Sequence, residues 1–177
     1  APAFGAAAAG AYYFINALAM AGMTFFIASA PALILREAAQ RRQAGLSPGA
    51  FILQITLLLL APSMLLALAL HYWSVEIVVL LFGDQWTLAG QILAYAAFSY
   101  VAVVSFVPSS TASQLVRSQH VNMLAQLARV IGTLAAIFIG ERNGDILLSV
   151  MLIAVSDCLI YAASSAYIIA KLSRTKR

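Results

Sequence analysis

Apolar residues fill long runs along the chain, and polar residues gather at the breaks between them. A membrane-crossing helix needs about 20 consecutive, mostly apolar residues. Runs of that kind predict helices over residues 10–36, 49–72, 87–117, 121–140 and 145–172. Pro31, Pro62 and Pro108 fall inside three of them and predict kinks, because a helical proline removes a backbone donor. The first run is expected to fray into Arg36, Glu37, Gln40, Arg41, Arg42 and Gln43. Ala44-Gly45-Leu46-Ser47-Pro48 then reads as a turn, with Ser47 as N-cap and Pro48 at the first helical position. Ser118-Gln119-His120 is a brief loop, and Glu141-Arg142-Asn143-Gly144 is a turn before Asp145, a good N-cap.

The sharpest break lies within residues 79–93. Gly83 is placed to take the positive φ of a helix C-terminus, and Asp84 or Thr87 to cap the next helix by accepting a free N–H. Trp86 is the ring that favours a membrane-water boundary. His71, Tyr72 and Trp73 read as an aromatic belt, so residues 74–83 are predicted to form a short helix lying in the interface.

Composition turns these runs into a fold class. The chain is 63% hydrophobic and 9% charged, with mean hydropathy +0.95, whereas a soluble domain is roughly 25% charged. The expectation is an all-α polytopic membrane bundle, one transmembrane domain over 1–177. The net charge of +4 does not point to nucleic acid, because no basic patch is interleaved with aromatics. Lys and Arg instead alternate by loop: Arg36, Arg41, Arg42, Arg117 and the basic C-terminal end on one side, Arg142 alone on the other. The positive-inside rule then puts the N-terminus outside and the C-terminus in the cytoplasm. The opening run has no basic n-region and does not read as a signal peptide, and a chain beginning at Ala1 is expected to be a piece of a longer one.

Candidate chemistry is sparse. A single cysteine, Cys158, excludes an intrachain disulfide and a cysteine-based zinc cluster, and His71 and His120 fall on opposite predicted sides. No catalytic constellation, metal site or cofactor is expected. Two charges fall midway along predicted spans, Arg129 and Asp157. Such charges are costly in lipid and normally face a cavity or each other. Two readings stand: an ion pair locking adjacent helices, or an arginine that offers its fork to an anionic ligand. Around Pro108 lie Ser105, Ser109, Ser110, Thr111, Ser113 and Gln114, which either repair the interrupted backbone or wall a polar cavity. Tyr12, Tyr13, Asn16 and Gln54 could hydrogen-bond sugar hydroxyls or neighbouring helices.

Leu81-Phe82-Gly83-x-x-Trp86-x-x-Ala89-x-x-x-Leu93, together with Ala9-Gly10-x-Tyr12 opening a helix, resembles the C-terminal half of bacterial polysaccharide exporters of the Wzx type. These belong to the superfamily of the MATE drug exporters and the lipid II flippase MurJ. The resemblance implies two helix bundles around a central cavity, of which this chain would supply the last five spans. It implies translocation of an undecaprenyl-pyrophosphate-linked oligosaccharide across the bacterial inner membrane for surface polysaccharide biosynthesis, by alternating access and without enzymatic chemistry. The implied partners are the lipid-linked oligosaccharide, membrane lipids and other polysaccharide assembly proteins. Basic cavities are typical there, so the resemblance carries that role onto Arg129, with Asp157, Asn16, Gln54, Ser109 and Gln114 as cavity candidates. Gly83, Trp86, Pro31, Pro62 and Pro108 would be structural hinges. The chain departs from the pattern at Ala17, where a basic residue is common, at Pro31, and at Arg117-Ser118-Gln119-His120. A cation-coupled drug exporter of the MATE type, with Asp157 as its ion site, and an inactive truncated piece are the alternatives.

Overall fold

The computed structural model describes residues 4–174, without the side chains of residues 25–27. Among the described residues the fold is all-α: α1 Gly5–Gln43, α2 Pro48–Phe82, α3 Thr87–Ala112, α4 Gln119–Asn143 and α5 Ile146–Arg174. Single 3-10 turns, Asp84–Trp86 and Ser113–Val116, sit at the two ends of α3. Five helices are long and apolar enough to cross a membrane. Lys176 and Arg177, read as part of a basic tail, lie outside the described residues.

Several boundaries differ from the sequence expectation, each for a local reason. Residues 74–83 do not form a separate interfacial helix; α2 runs unbroken to Phe82. Its 35 residues span about 52 Å at 1.5 Å per residue, longer than the roughly 30 Å hydrocarbon core. The polar residues that suggest a surface break are satisfied against α3: Ser74 Oγ donates to the Gly90 carbonyl (2.8 Å) and His71 Nδ1 lies 3.2 Å from the Ala94 carbonyl. The end of α1 does not fray before Gln43, and Glu37 and Arg41 form an i,i+4 ion pair at 2.8 Å. Residues 113–116 tighten into a 3-10 turn instead of continuing α3.

The turns follow their residues in part. Gly83 adopts φ +91°, and its N–H closes α2 on the Val79 carbonyl at 2.8 Å. Neither Asp84 nor Thr87 caps α3 as expected; Thr87 Oγ1 donates to the Asp84 carbonyl, and a 3-10 turn satisfies the backbone. Pro48 does occupy the first turn of α2, with Ser47 making no side-chain cap. Asp145 caps α5 through Leu147 and Leu148 N–H groups at 2.8 and 3.2 Å. Pro31, Pro62 and Pro108 all lie inside continuous helices. Ser63 beside Pro62 donates to the Leu59 carbonyl, and Ser109 and Ser110 beside Pro108 donate to the Phe106 and Val107 carbonyls. These bonds return to the helix's own preceding turn and do not reach the Leu58 and Val104 carbonyls that the prolines free.

Packing makes α3 the central post. It is the most buried helix and touches α1, α2 and α5, while α4 packs chiefly on α5. One core joins Ile34, Ile52, Phe106, Ile168 and Leu172, and a second joins Ile15, Val78, Ile92 and Val150 nearer the opposite end. Outward-facing Leu58, Leu65 and Leu80 of α2 are left exposed, as lipid-facing residues are. The α4–α5 contact is close because α4 presents Ala125, Gly132, Ala136 and Gly140 on one face. A Cβ on Gly132 would meet Ser156, and one on Gly140 would meet Ser149. Small residues at such spacing let membrane helices approach and gain dispersion contacts.

Candidate functional site

Arg129 lies on that same face of α4, one turn from Ala125 and from Gly132, and so points at α5. Its Nε donates to Asp157 Oδ1 at 3.0 Å. Ser99 of α3 donates to the other carboxylate oxygen, Oδ2. Asp157 is thereby held from two helices, with its side chain 1% exposed, while the Arg129 side chain remains 38% exposed. A carboxylate buried without partners would be strongly penalised; here one cation and one hydroxyl satisfy it.

Aromatic groups complete the surroundings. The Arg129 guanidinium carbon lies 5.9 Å from the Tyr161 ring centroid, and that ring also stacks on Phe106 at 4.7 Å. Tyr100 donates to Asn16 Oδ1 at 3.3 Å, tying α3 to α1. The cluster sits between the two apolar cores. A groove of about 320 Å³ among α1, α4 and α5 is bounded by Phe4, Ala8, Tyr12, Thr133, Ile137 and Ile153; neither Arg129 nor Asp157 lines it. A second, largely apolar groove of about 450 Å³ lies between α1 and α2 over α3, with Ser63 and Tyr100 in its wall.

The expected residues divide accordingly. Arg129 and Asp157 meet, which makes the ion-pair reading a fact of the structure, while Asn16 bonds Tyr100 and not the pair. Ser109 is fully buried and shares a hydrogen bond with Ser165 of α5 at 2.7 Å, so it serves helix packing. Gln54 is exposed on α2, and Gln114 is exposed in the turn after α3; neither meets the cluster. Trp86, expected at the boundary, packs on Phe14 of α1 with centroids 4.2 Å apart.

Protein-family models, curated proteins and solved structures yield no match to this chain. The site therefore stands on its own geometry.

Ser99, Tyr100 and Tyr161 lie beyond what sequence reasoning picks out. Tyr161 carries a readable signal, since it follows Asp157 by four residues and must share its helix face. Ser99 and Tyr100 carry none, because only the α3–α5 and α1–α3 crossings bring them in. Among the described residues no group of three or more His, Cys, Asp or Glu could hold a metal ion.

Chemically, Asp157 fixes Arg129 through Nε, and 38% of the arginine side chain remains exposed. A guanidinium fork of this kind binds a phosphoryl oxygen pair, and tyrosine hydroxyls and an asparagine amide suit sugar hydroxyls. Asp157 fixes the arginine's orientation and balances its charge.

Proposed function

We propose that the chain forms part of a translocator for a pyrophosphate-linked, lipid-borne oligosaccharide in the bacterial inner membrane, working by alternating access with its N-terminus outside. The observation that carries this reading is the unequal burial of the Arg129–Asp157 pair: the carboxylate is sealed, and the guanidinium keeps an open edge beside Tyr161. Arg129 would hold the pyrophosphate, Tyr12, Asn16 and Tyr100 would meet the sugar, and the apolar α1–α2 groove would accept the prenyl chain. The cation-coupled alternative needs a carboxylate free for an ion, and both oxygens of Asp157 are already engaged.

The test separates ligand binding from folding. Arg129→Ala alone strands a buried carboxylate, a change that costs about 3–5 kcal/mol when one partner of a buried pair is removed. It is therefore paired with Arg129→Ala/Asp157→Asn in the full-length protein, with protein abundance and surface polysaccharide measured together. The single variant should lose both. The double variant should regain abundance while surface polysaccharide stays absent; export at the wild-type level by the double variant would show that Arg129 does not touch substrate.

A further inference from the structure

At the end of the bundle opposite the Gly83 turn, three cations from three separate segments meet. Arg42 ends α1, Arg117 follows the 3-10 turn after α3, and Lys171 lies in the last turn of α5. Together with Leu115 and Val116 they enclose a recess of about 460 Å³ that no carboxylate among the described residues lines. Arg42 Nη1 donates to the Leu115 carbonyl at 2.6 Å, and Lys171 Nζ donates to Ser118 Oγ at 2.7 Å. These bonds join the ends of α1 and α5 to the α3–α4 turn and fix where the cations stand. The charges at this end are almost all of one sign: Glu37, the one carboxylate here among the described residues, is paired with Arg41. The remaining acidic side chains, apart from Asp157, belong to the opposite half of the molecule.

Helix dipoles account for Arg42 and Lys171 singly, since cations favour helix C-termini. They do not account for Arg117. It is the one non-glycine residue with positive φ, at +48°, among the described residues, and its exposed side chain has no partner there. A left-handed conformation costs roughly 1–2 kcal/mol in a residue with a Cβ, and glycine at this position would avoid it. The left-handed residue closes the helix end, with Ser118 N–H on the Ser113 carbonyl at 2.9 Å, in a place that glycine usually takes.

The geometry points to a phosphate-binding site formed by Arg42, Arg117 and Lys171, whose ligand is the phosphate of an anionic lipid headgroup or a free phosphoryl group. Juxtamembrane basic recesses between helices hold anionic headgroups, and each nearby cation contributes about 1 kcal/mol, a factor of roughly five in affinity. The recess is remote from Arg129 and is independent of the translocator reading.

Arg117→Gly removes the cation and relieves the backbone, so the fold should persist. The full chain, purified in zwitterionic detergent, is scored by native mass spectrometry for retained phosphatidylglycerol against phosphatidylcholine, and by thermal unfolding with phosphatidylglycerol or inorganic phosphate added. The wild type should retain phosphatidylglycerol selectively and be stabilised by it. Arg117→Gly should bind it roughly fivefold more weakly while melting no lower without lipid, and Arg174→Gln, outside the recess, should behave as wild type. Stabilisation by inorganic phosphate alone, equally dependent on Arg117, would identify a soluble phosphoryl ligand in the same site. Unchanged binding in both Arg117→Gly and Arg42→Gln, or an equal loss in Arg174→Gln, would overturn the proposal.

Discussion

Gly83 and Gly144 both end helices with positive φ, yet their demands differ. Gly144, at φ 66° and ψ 21°, closes α4 with the 6→1 bond from Asp145 N–H to the Gly140 carbonyl, a left-handed cap that asparagine also tolerates. Gly83, at φ 91° and ψ 167°, lies where essentially only glycine goes. A Cβ would meet no atom within 4 Å at either site, so backbone energy alone decides. Gly144→Asn should shift the melting temperature little, whereas Gly83→Asn should cost about 1–3 kcal/mol, read by thermal unfolding in micelles; equal costs would contradict the backbone account. Gly83 is legible in the sequence because an apolar run that stops at a glycine and restarts behind an acidic residue fits a helix end better than a helix interior. The Arg129–Asp157 pair is legible as one of two readings, since midspan charges must find partners. The Ser99 bond to the same carboxylate is not, because a serine in a membrane helix can equally return its proton to its own backbone.

Among the elements, α4 depends most on one neighbour. Its hold on α5 runs through Gly132, Ala136 and Gly140 at four-residue spacing, a pattern present in the sequence but easily overshadowed there by the charges. Gly140→Val would drive a side chain into Ser149 and toward the Asp145 carbonyl at 2.8 Å. The expected loss is about 1–3 kcal/mol, typical of overpacking, measured as lowered thermal stability. Gly22→Val, where nothing lies within 4 Å of a Cβ, should stay near wild type. The unexpected length of α2 has a related cause. His71, Tyr72, Trp73 and Ser74 have the composition of a membrane surface, but burial depends on the facing helix, and Gly90 lets the backbone at Val75 approach closely enough for Ser74 to be satisfied. One-dimensional pattern gives the presence of a helix far better than its partner.

Across the whole molecule the charges are polarised. Arg36, Arg41, Arg42, Arg117, Lys171 and Arg174 occupy one end, and Arg142 alone, stacked over Phe138 at 4.4 Å, stands at the other. If this polarity sets orientation, cysteines placed at Asn143 and Gln119 in a Cys158→Ser background should differ in access. A membrane-impermeant maleimide should label Asn143→Cys in intact cells and Gln119→Cys only after permeabilisation; the reverse order would invert the topology. The five-helix, all-α membrane architecture is legible at this scale because lipid demands long apolar helices whatever their function. The recess at the basic end is not, since its three cations are far apart in sequence. The unequal Arg129–Asp157 pair also bears on how the chain enters the bilayer. Either helix alone would carry an uncompensated charge into hydrocarbon, at about 2.5–3.5 kcal/mol on insertion scales. The turn at Gly144–Asp145 is short enough for α4 and α5 to leave the translocon as a hairpin. A hairpin of this kind would carry Arg129 and Asp157 into the bilayer already paired, with their charges compensated.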